Sequence, residues 1–228
     1  GTWCGWCPRG DVAMNKAYKD FPDRFVGVAV HNSDPMVVPA YDTGLVGLFG
    51  PDDGFPSAMF ERAIFLDPTQ IQNQFVQRIQ QPTDVFMEHG ATYNEATREL
   101  TVSVTTNFMN DVNGQNSLIV ILTEDGVRGT TGDYAQSNFY SGGGNGDLFA
   151  LDGTNWAQLA NPVPASQMVY NHVARALLTD FNGQQAFGTS NDAGTAKTLH
   201  FSYTIPAGFE TDNMHIVSAY RNVFGQIE

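Results

Sequence analysis

Two periodicities divide the chain near residue 84. In the first part, apolar positions fall at helical or continuous-strand spacing. "DVAMNKAYKDF" sets Met14, Tyr18 and Phe21 on one stripe with Ala13 and Ala17 beside it, which predicts a helix. "RFVGVAVH" is an unbroken apolar run, as expected of a strand buried on both faces. "SDPMVVPAY" predicts a short helix with Ser33 or Asp34 as cap and Pro35 in its first turn. "SAMFERAIFL" reads as two strands. In "DPTQIQNQFVQRIQ", Asp67 caps a helix, Pro68 takes its first position, and Ile71, Phe75 and Ile79 form the buried stripe. Such alternation of helices and strands predicts an α/β domain over residues 1–84.

From residue 85 the period becomes two. "ELTVSVTTNF" alternates Leu100, Val102 and Val104 against Thr101, Ser103 and Thr105, and "SLIVILTED", "KTLHFSYTI" and "NMHIVSAYRN" continue the pattern. Turn dipeptides recur at Asn113-Gly114, Asp125-Gly126, Asp152-Gly153 and Asn182-Gly183. Seven or eight short strands predict an all-β antiparallel sandwich over residues 85–228. "FYSGGGNGDLF" is expected to be an exposed loop.

Composition narrows the function classes. Of 228 residues, 42% are hydrophobic, enough for a core, and no apolar run approaches the roughly 18–20 residues of a membrane helix. The net charge of −13, with only 11 Lys and Arg, opposes polyanionic partners, so neither nucleic acid nor an anionic membrane surface is expected to bind. Plentiful Asn, Gly, Thr and Gln suit an extracytoplasmic bacterial protein, in the periplasm or at the outer membrane or cell surface. The abrupt start at Gly1 raises the expectation of an upstream segment, through which the protein could associate with a membrane.

The chain's two cysteines, Cys4 and Cys7, lie in "TWCGWCP" ahead of the first predicted helix. A cysteine at a helix N-terminus meets unpaired N–H groups and the positive end of the dipole, which favour a thiolate. Two intervening residues let the second sulfur close a small ring, so attack on a substrate disulfide can be followed by internal resolution. In this reading Cys4 attacks and is the more exposed sulfur, and Cys7 resolves. Other readings compete. Half of a zinc site would need ligands from His31, His89, His172, His200 or His215. A purely structural disulfide is a further reading, although so short a loop constrains the unfolded chain little. Haem attachment would need histidine where Pro8 stands. "NDVNGQN" fails the calcium-loop template, with Gly114 fourth and Leu122 twelfth from Asp111. No metal or other cofactor is expected.

"GTWCGWCPRG", "VAVHNSDPM", "FPSAMFER" and "YNHVARALL" resemble the thioredoxin superfamily and, more narrowly, a Bacteroidetes family related to outer membrane protein 28. The resemblance implies a thioredoxin-like domain followed by a β-sandwich in an exported protein, lipid-anchored or at the outer membrane. It also implies a cis Phe55-Pro56 bond facing the cysteine pair, with Phe55 offering backbone groups to an extended substrate. In that superfamily a strand bearing a buried acid leads into the motif, whereas here only Gly1 and Thr2 precede it.

Further candidates surround this centre. His31 ends the "FVGVAVH" run, where strand ends face a site, and could shuttle a proton or stabilise a thiolate. Arg9 could lower a thiol pKa or simply be solvated. Trp3 and Trp6 would shape an apolar rim for peptide substrates. The expected function is thiol–disulfide exchange on protein or peptide thiols and disulfides, reset by an external redox partner. The alternative is a surface binding or adhesion module whose cysteine pair is inert.

Overall fold

The computed structural model describes residues 1–50, 53–185 and 187–227, and among them are three α-helices and ten strands. The chain forms two compact units. One comprises Gly1–Phe60, Ile64–Gln80 and Asp125–Ala174, and the other Glu61–Ala63, Gln81–Glu124 and Arg175–Glu228. A single cut at 84/85 therefore does not separate them, because a fifty-residue excursion from the period-two part belongs with the front.

In the first unit, α1 spans Pro8–Asp20. Proline at its start, Asp11 in the first turn and Lys19 in the last all suit the helix ends. Its buried centre is Ala17, flanked by Ala13, Met14 and Phe21, against Phe25, Ile71 and Phe75. Tyr18 was expected on that stripe but is 42% exposed, its ring lying 5.0 Å from that of His172. The close approach is made by the small Ala17, which turns the bulky neighbour outward. Asp67 accepts the Thr69 N–H at 3.0 Å over a 3-10 turn, Pro68–Gln70, that runs into α3, Ile71–Arg78. Ile71 and Phe75 are buried and Ile79 packs beside them.

Two front elements differ from expectation. The helix predicted at Ser33–Tyr41 begins later: α2 spans Pro39–Val46, and Ser33 sits at φ +51° in a bend. Asp34 does not cap a helix; its carboxylate is spent on side-chain and backbone partners described below. The "FVGVAVH" run forms one parallel bridge, Ala29 to Val173, and Val26 is 65% exposed. A strand needs partners on its edges, and apolar residues alone do not supply them.

β1 (Ala58–Phe60) and β2 (Ile64–Leu66) form an antiparallel hairpin in register Phe60 to Ile64. This is the first unit's one multi-residue sheet among the described residues. An α/β thioredoxin-like domain needs helices layered on a multistranded sheet. Two three-residue strands cannot provide it, so the expected fold class, α/β thioredoxin-like followed by an all-β sandwich, is overturned. The molecule consists mostly of small sheets, with 20% of residues helical and 31% in strands.

The second unit is built from β3 (Val85–Asn94), β4 (Glu99–Phe108) and β9 (Ala196–Thr204) in one sheet, order β3-β4-β9. A second sheet has the order β10-β6-β7, from β6 (Ser117–Glu124), β10 (Met214–Arg221) and β7 (Val173–Leu177), of which residues 175–177 lie in this unit. Two-residue strands β5 (Val112–Asn113) and β8 (Ser190–Asn191) pair separately. Along β4, Leu100, Val102, Val104, Thr106 and Phe108 are buried, one face of the pleat. They share a core with Leu118, Val120 and Leu122 of β6, and with Phe187, Phe201 and Tyr220.

Candidate functional site

Cys4 and Cys7 are joined by a disulfide with Cα atoms 5.3 Å apart. The Cys7 N–H donates to the Cys4 carbonyl at 3.1 Å, closing the turn the spacing calls for. Cys7, not Cys4, is the N-cap of α1, and its own carbonyl takes the Gly10 N–H at 2.9 Å and the Asp11 N–H at 3.3 Å. The positive end of the helix dipole therefore lies at the second cysteine, whose side chain makes no capping hydrogen bond.

A segment far along the chain covers the first sulfur. The Ser137 N–H donates to the Thr2 carbonyl at 2.7 Å and the Phe139 N–H to the Gly5 carbonyl at 2.9 Å. Between them the buried Gln136 amide donates to the Cys4 carbonyl at 2.8 Å. Trp6 meets Phe139 and Tyr140 edge-on at 5.6 and 5.5 Å. Gly5 is required here, since a Cβ would run into the Phe139 ring. Cys4 is consequently only 5% exposed, while Cys7 is half-buried. This reverses the expectation that Cys4 is the accessible sulfur.

Of the expected rim residues, Trp3 is exposed and Trp6 and Phe55 are half-buried. Trp3 is 48% exposed, its indole N–H donates to the Asn32 carbonyl at 2.7 Å, and its ring lies 5.5 Å from Phe55. Phe55 also meets Phe49 at 5.6 Å. Phe55-Pro56 is cis, and Pro56 lies against Gly10, one turn into α1, where an added Cβ would stand 3.5 Å from its ring. A cleft of about 590 Å³ opens beside the motif, lined by Thr2, Trp3, Asp34, Val37, Asp133 and Pro162, among others.

His31 reaches the motif through another residue. Its Nδ1 lies 2.6 Å from Asp34 Oδ2. The same carboxylate accepts the N–H of Thr2 and of Met36, each at 2.9 Å. Burial pushes the Asp34 pKa up, but the hydrogen bond and charge of His31 and the two backbone N–H groups outweigh it, leaving the carboxyl below its ordinary value. Asp34 thus fixes the backbone two residues before Cys4. Tyr170 packs edge-on to His31 at 5.6 Å and donates its hydroxyl to the Tyr134 carbonyl at 2.8 Å. Burial, then the negative charges of Asp34 and Asp11, push its phenol well above the ordinary value. On the first turn of α1, burial pushes Asp11 up to about 6, opposed by a hydrogen bond from the Asn15 amide at 3.0 Å. Arg9 points elsewhere, forking onto Asp67 at 2.7 and 3.1 Å.

The structure thus gathers Trp3, Cys4, Trp6 and Cys7, with Phe55 against Trp3, Pro56 beside α1 and His31 behind Asp34. Sequence reasoning missed Asp34 as a hub, and Gln136, Asn138 and Phe139 as the cover. The available signal was the density of Asn, Gln and Ser after residue 130, residue types whose side chains satisfy loop backbone. No group of three or more metal-ligating side chains occurs among the described residues.

No helix among the described residues is long and apolar enough to cross a membrane. No curated protein matches the chain. The family model for outer membrane protein Omp28 matches residues 51–223, taking in Phe55, Pro56 and the strands β1–β10 but beginning after the cysteine pair and His31. That match spans well over half of the chain, which therefore belongs to the outer membrane protein Omp28 family and is extracytoplasmic.

Proposed function

We propose that the Cys4–Cys7 pair is a thiol–disulfide exchange centre acting on protein or peptide thiols and disulfides in the bacterial envelope. The observation that carries this reading is the closed disulfide ending at the N-cap of α1, next to an exposed aromatic rim and an open cleft. Thiolate attack on a disulfide needs a stabilised thiolate, an accessible sulfur and a second thiol to release the mixed disulfide. One helix start and one tetrapeptide turn offer all three. Because the chain has two cysteines only, each turnover leaves the pair in the opposite redox state, and an external dithiol or disulfide partner resets it. Trp3 and Phe55 supply apolar surface for an extended substrate.

A second reading rests on the outward face of the sheet β3-β4-β9. Ser103 Oγ lies 2.8 Å from His200 Nδ1, and the Thr105 and Thr198 hydroxyls are 2.8 Å apart. Such a polar ladder on a broad antiparallel sheet suits a surface binding or adhesion module, in which the cysteine pair would be inert.

The discriminating experiment is disulfide exchange by the full chain with a scrambled protein disulfide, beside a variant carrying both Cys4→Ser and Cys7→Ser. Exchange well above background in the native chain and none in the double variant supports the redox centre. Equal background rates in both would discard it and leave the binding reading.

A further inference from the structure

We infer that Cys7, and not Cys4, is the sulfur that forms the mixed disulfide with the substrate, Cys4 being its internal partner. The inference rests on the exchange function proposed above and assigns its direction of approach. Exchange proceeds by attack along the axis of the bond that breaks, so the reacting sulfur needs open space for an incoming side chain. Cys4 lacks it. Its backbone is held by Gln136, the residues on either side of it are held by Ser137 and Phe139, and the residue is 5% exposed. Gly5 leaves no gap beneath Phe139 through which a second chain could enter.

Cys7 has both access and stabilisation. It is half-buried and stands at the N-cap of a thirteen-residue helix, where the positive end of the dipole lies. Exposure and dipole therefore favour the same sulfur, the second in the chain.

The chemistry balances without any further group. The Cys7 thiolate attacks one sulfur of a substrate disulfide; the Cys7–substrate bond forms, the substrate S–S bond breaks, and the departing thiolate takes a proton from solvent. Cys4, giving up its proton to the second substrate sulfur as that leaves, then attacks Cys7. The substrate disulfide is reduced to two thiols and the Cys4–Cys7 pair is oxidised. Run backwards, a substrate thiolate attacks Cys7 and Cys4 departs, so the mixed disulfide forms on Cys7 in both directions.

The test treats the reduced full chain with oxidised glutathione, quenches with acid and maps the adduct by peptide mass spectrometry. Cys4→Ser and Cys7→Ser are run in parallel, together with timed alkylation by iodoacetamide. The expected result is an adduct on Cys7, accumulating in Cys4→Ser, with Cys7 alkylated at least about ten times faster than Cys4. In Gln136→Ala, where the cover loses its hold on the Cys4 carbonyl, that ratio should fall. An adduct on Cys4, or faster alkylation of Cys4, overturns the assignment while leaving the exchange function intact. No adduct on either sulfur removes the exchange function, and this assignment with it.

Discussion

The two units face the same requirement, a partner for every buried backbone polar group, and meet it by different means. In the unit built on β3, β4, β6, β9 and β10, backbone pairs with backbone along ladders of eight to ten residues, such as Val85–Asn94 against Glu99–Phe108. Side chains there are left to fill space, and Val102, Val104, Leu118 and Val120 do so with no exposure at all. In the unit that holds the cysteines, side chains join helices and backbone bonds such as Ser137 to Thr2 in the pairing. Asn138, fully buried, donates to the carbonyls of Trp156 and Ala160 and accepts the Tyr140 N–H. Asn155 and Asp34 serve their own loops in the same way. A ladder tolerates many sequences that keep its period. A loop held by named amides tolerates few, but it can carry a segment onto a distant disulfide turn, as Gln136–Tyr140 is carried onto Cys4.

The largest effect should come from the ladder-built core. Leu118 is fully buried in β6, and Leu118→Ala should cost about 2–5 kcal/mol through lost burial and an unfilled cavity. Urea unfolding measures it. A loss below about 1 kcal/mol would mean that this core collapses around the gap and is looser than its burial indicates.

Next comes the loop-built unit, where no comparable volume need be lost. Asn138→Ala removes one acceptor and two donor contacts at a fully buried position and should cost about 2–4 kcal/mol, since each unpaired buried group costs roughly 1–3 kcal/mol. It should also quicken alkylation of Cys4 in the reduced protein, because the loop that covers the sulfur is anchored there. Destabilisation without any change at Cys4 would separate the anchor from the cover.

What the sequence made legible follows the same division. The helix after Asp67-Pro68 could be read because its cap, its first proline and the stripe of Ile71 and Phe75 are local signals. The alternation of β4 could be read for the same reason, since neighbouring residues on one strand declare which face is buried. "FVGVAVH" misled because whether an apolar run becomes a strand depends on a distant partner, and Val173 gives it a single bridge. The Cys4–Cys7 disulfide was legible from its spacing, but the burial of Cys4 was not. The residues that bury it lie more than 130 positions away, in a stretch with no period to follow. The sequence offers Ser33 or Asp34 as a helix cap, whereas the partners of Asp34, namely Thr2, His31 and Met36, are fixed by tertiary packing.

Asp34 offers a third and smaller measure of side-chain control in the loop-built unit. Its pKa lies below the ordinary carboxylate value, so the folded state holds the proton more weakly than the unfolded one. The associated stability is present above the unfolded pKa of about 3.9 and is lost as pH falls through the lowered folded value. Asp34→Asn should cost about 1.5–3 kcal/mol at pH 7, the range for hydrogen bonds to a charged group, and should flatten the acid limb of the stability profile. An unchanged acid limb would assign the low-pH loss to other carboxylates.

The smallest expected effect has the opposite sign. Asp11 sits in the first turn of α1 with its carboxyl pushed up to about 6 by burial, and Asn15 is its hydrogen-bond partner. A raised carboxyl binds its proton more tightly in the folded state. Stability therefore falls as pH climbs from the unfolded pKa of about 3.9 to about 6, and the whole penalty is present above that. Two pKa units would set a ceiling near 3 kcal/mol, but Asp11 keeps a window to solvent and stands at the favourable end of the helix dipole, so about 1–2 kcal/mol is expected. Asp11→Asn keeps an oxygen to accept from Asn15 and removes the charge. It should therefore stabilise the protein at pH 7 by that amount and leave it unchanged near pH 4, where the native carboxyl is already protonated. Paired urea melts at the two pH values read the difference directly. Equal effects at both would show that the change acts through packing or helix propensity. A loss at pH 7 would mean that the charge on Asp11, poised against the start of α1, stabilises the helix more than its burial costs.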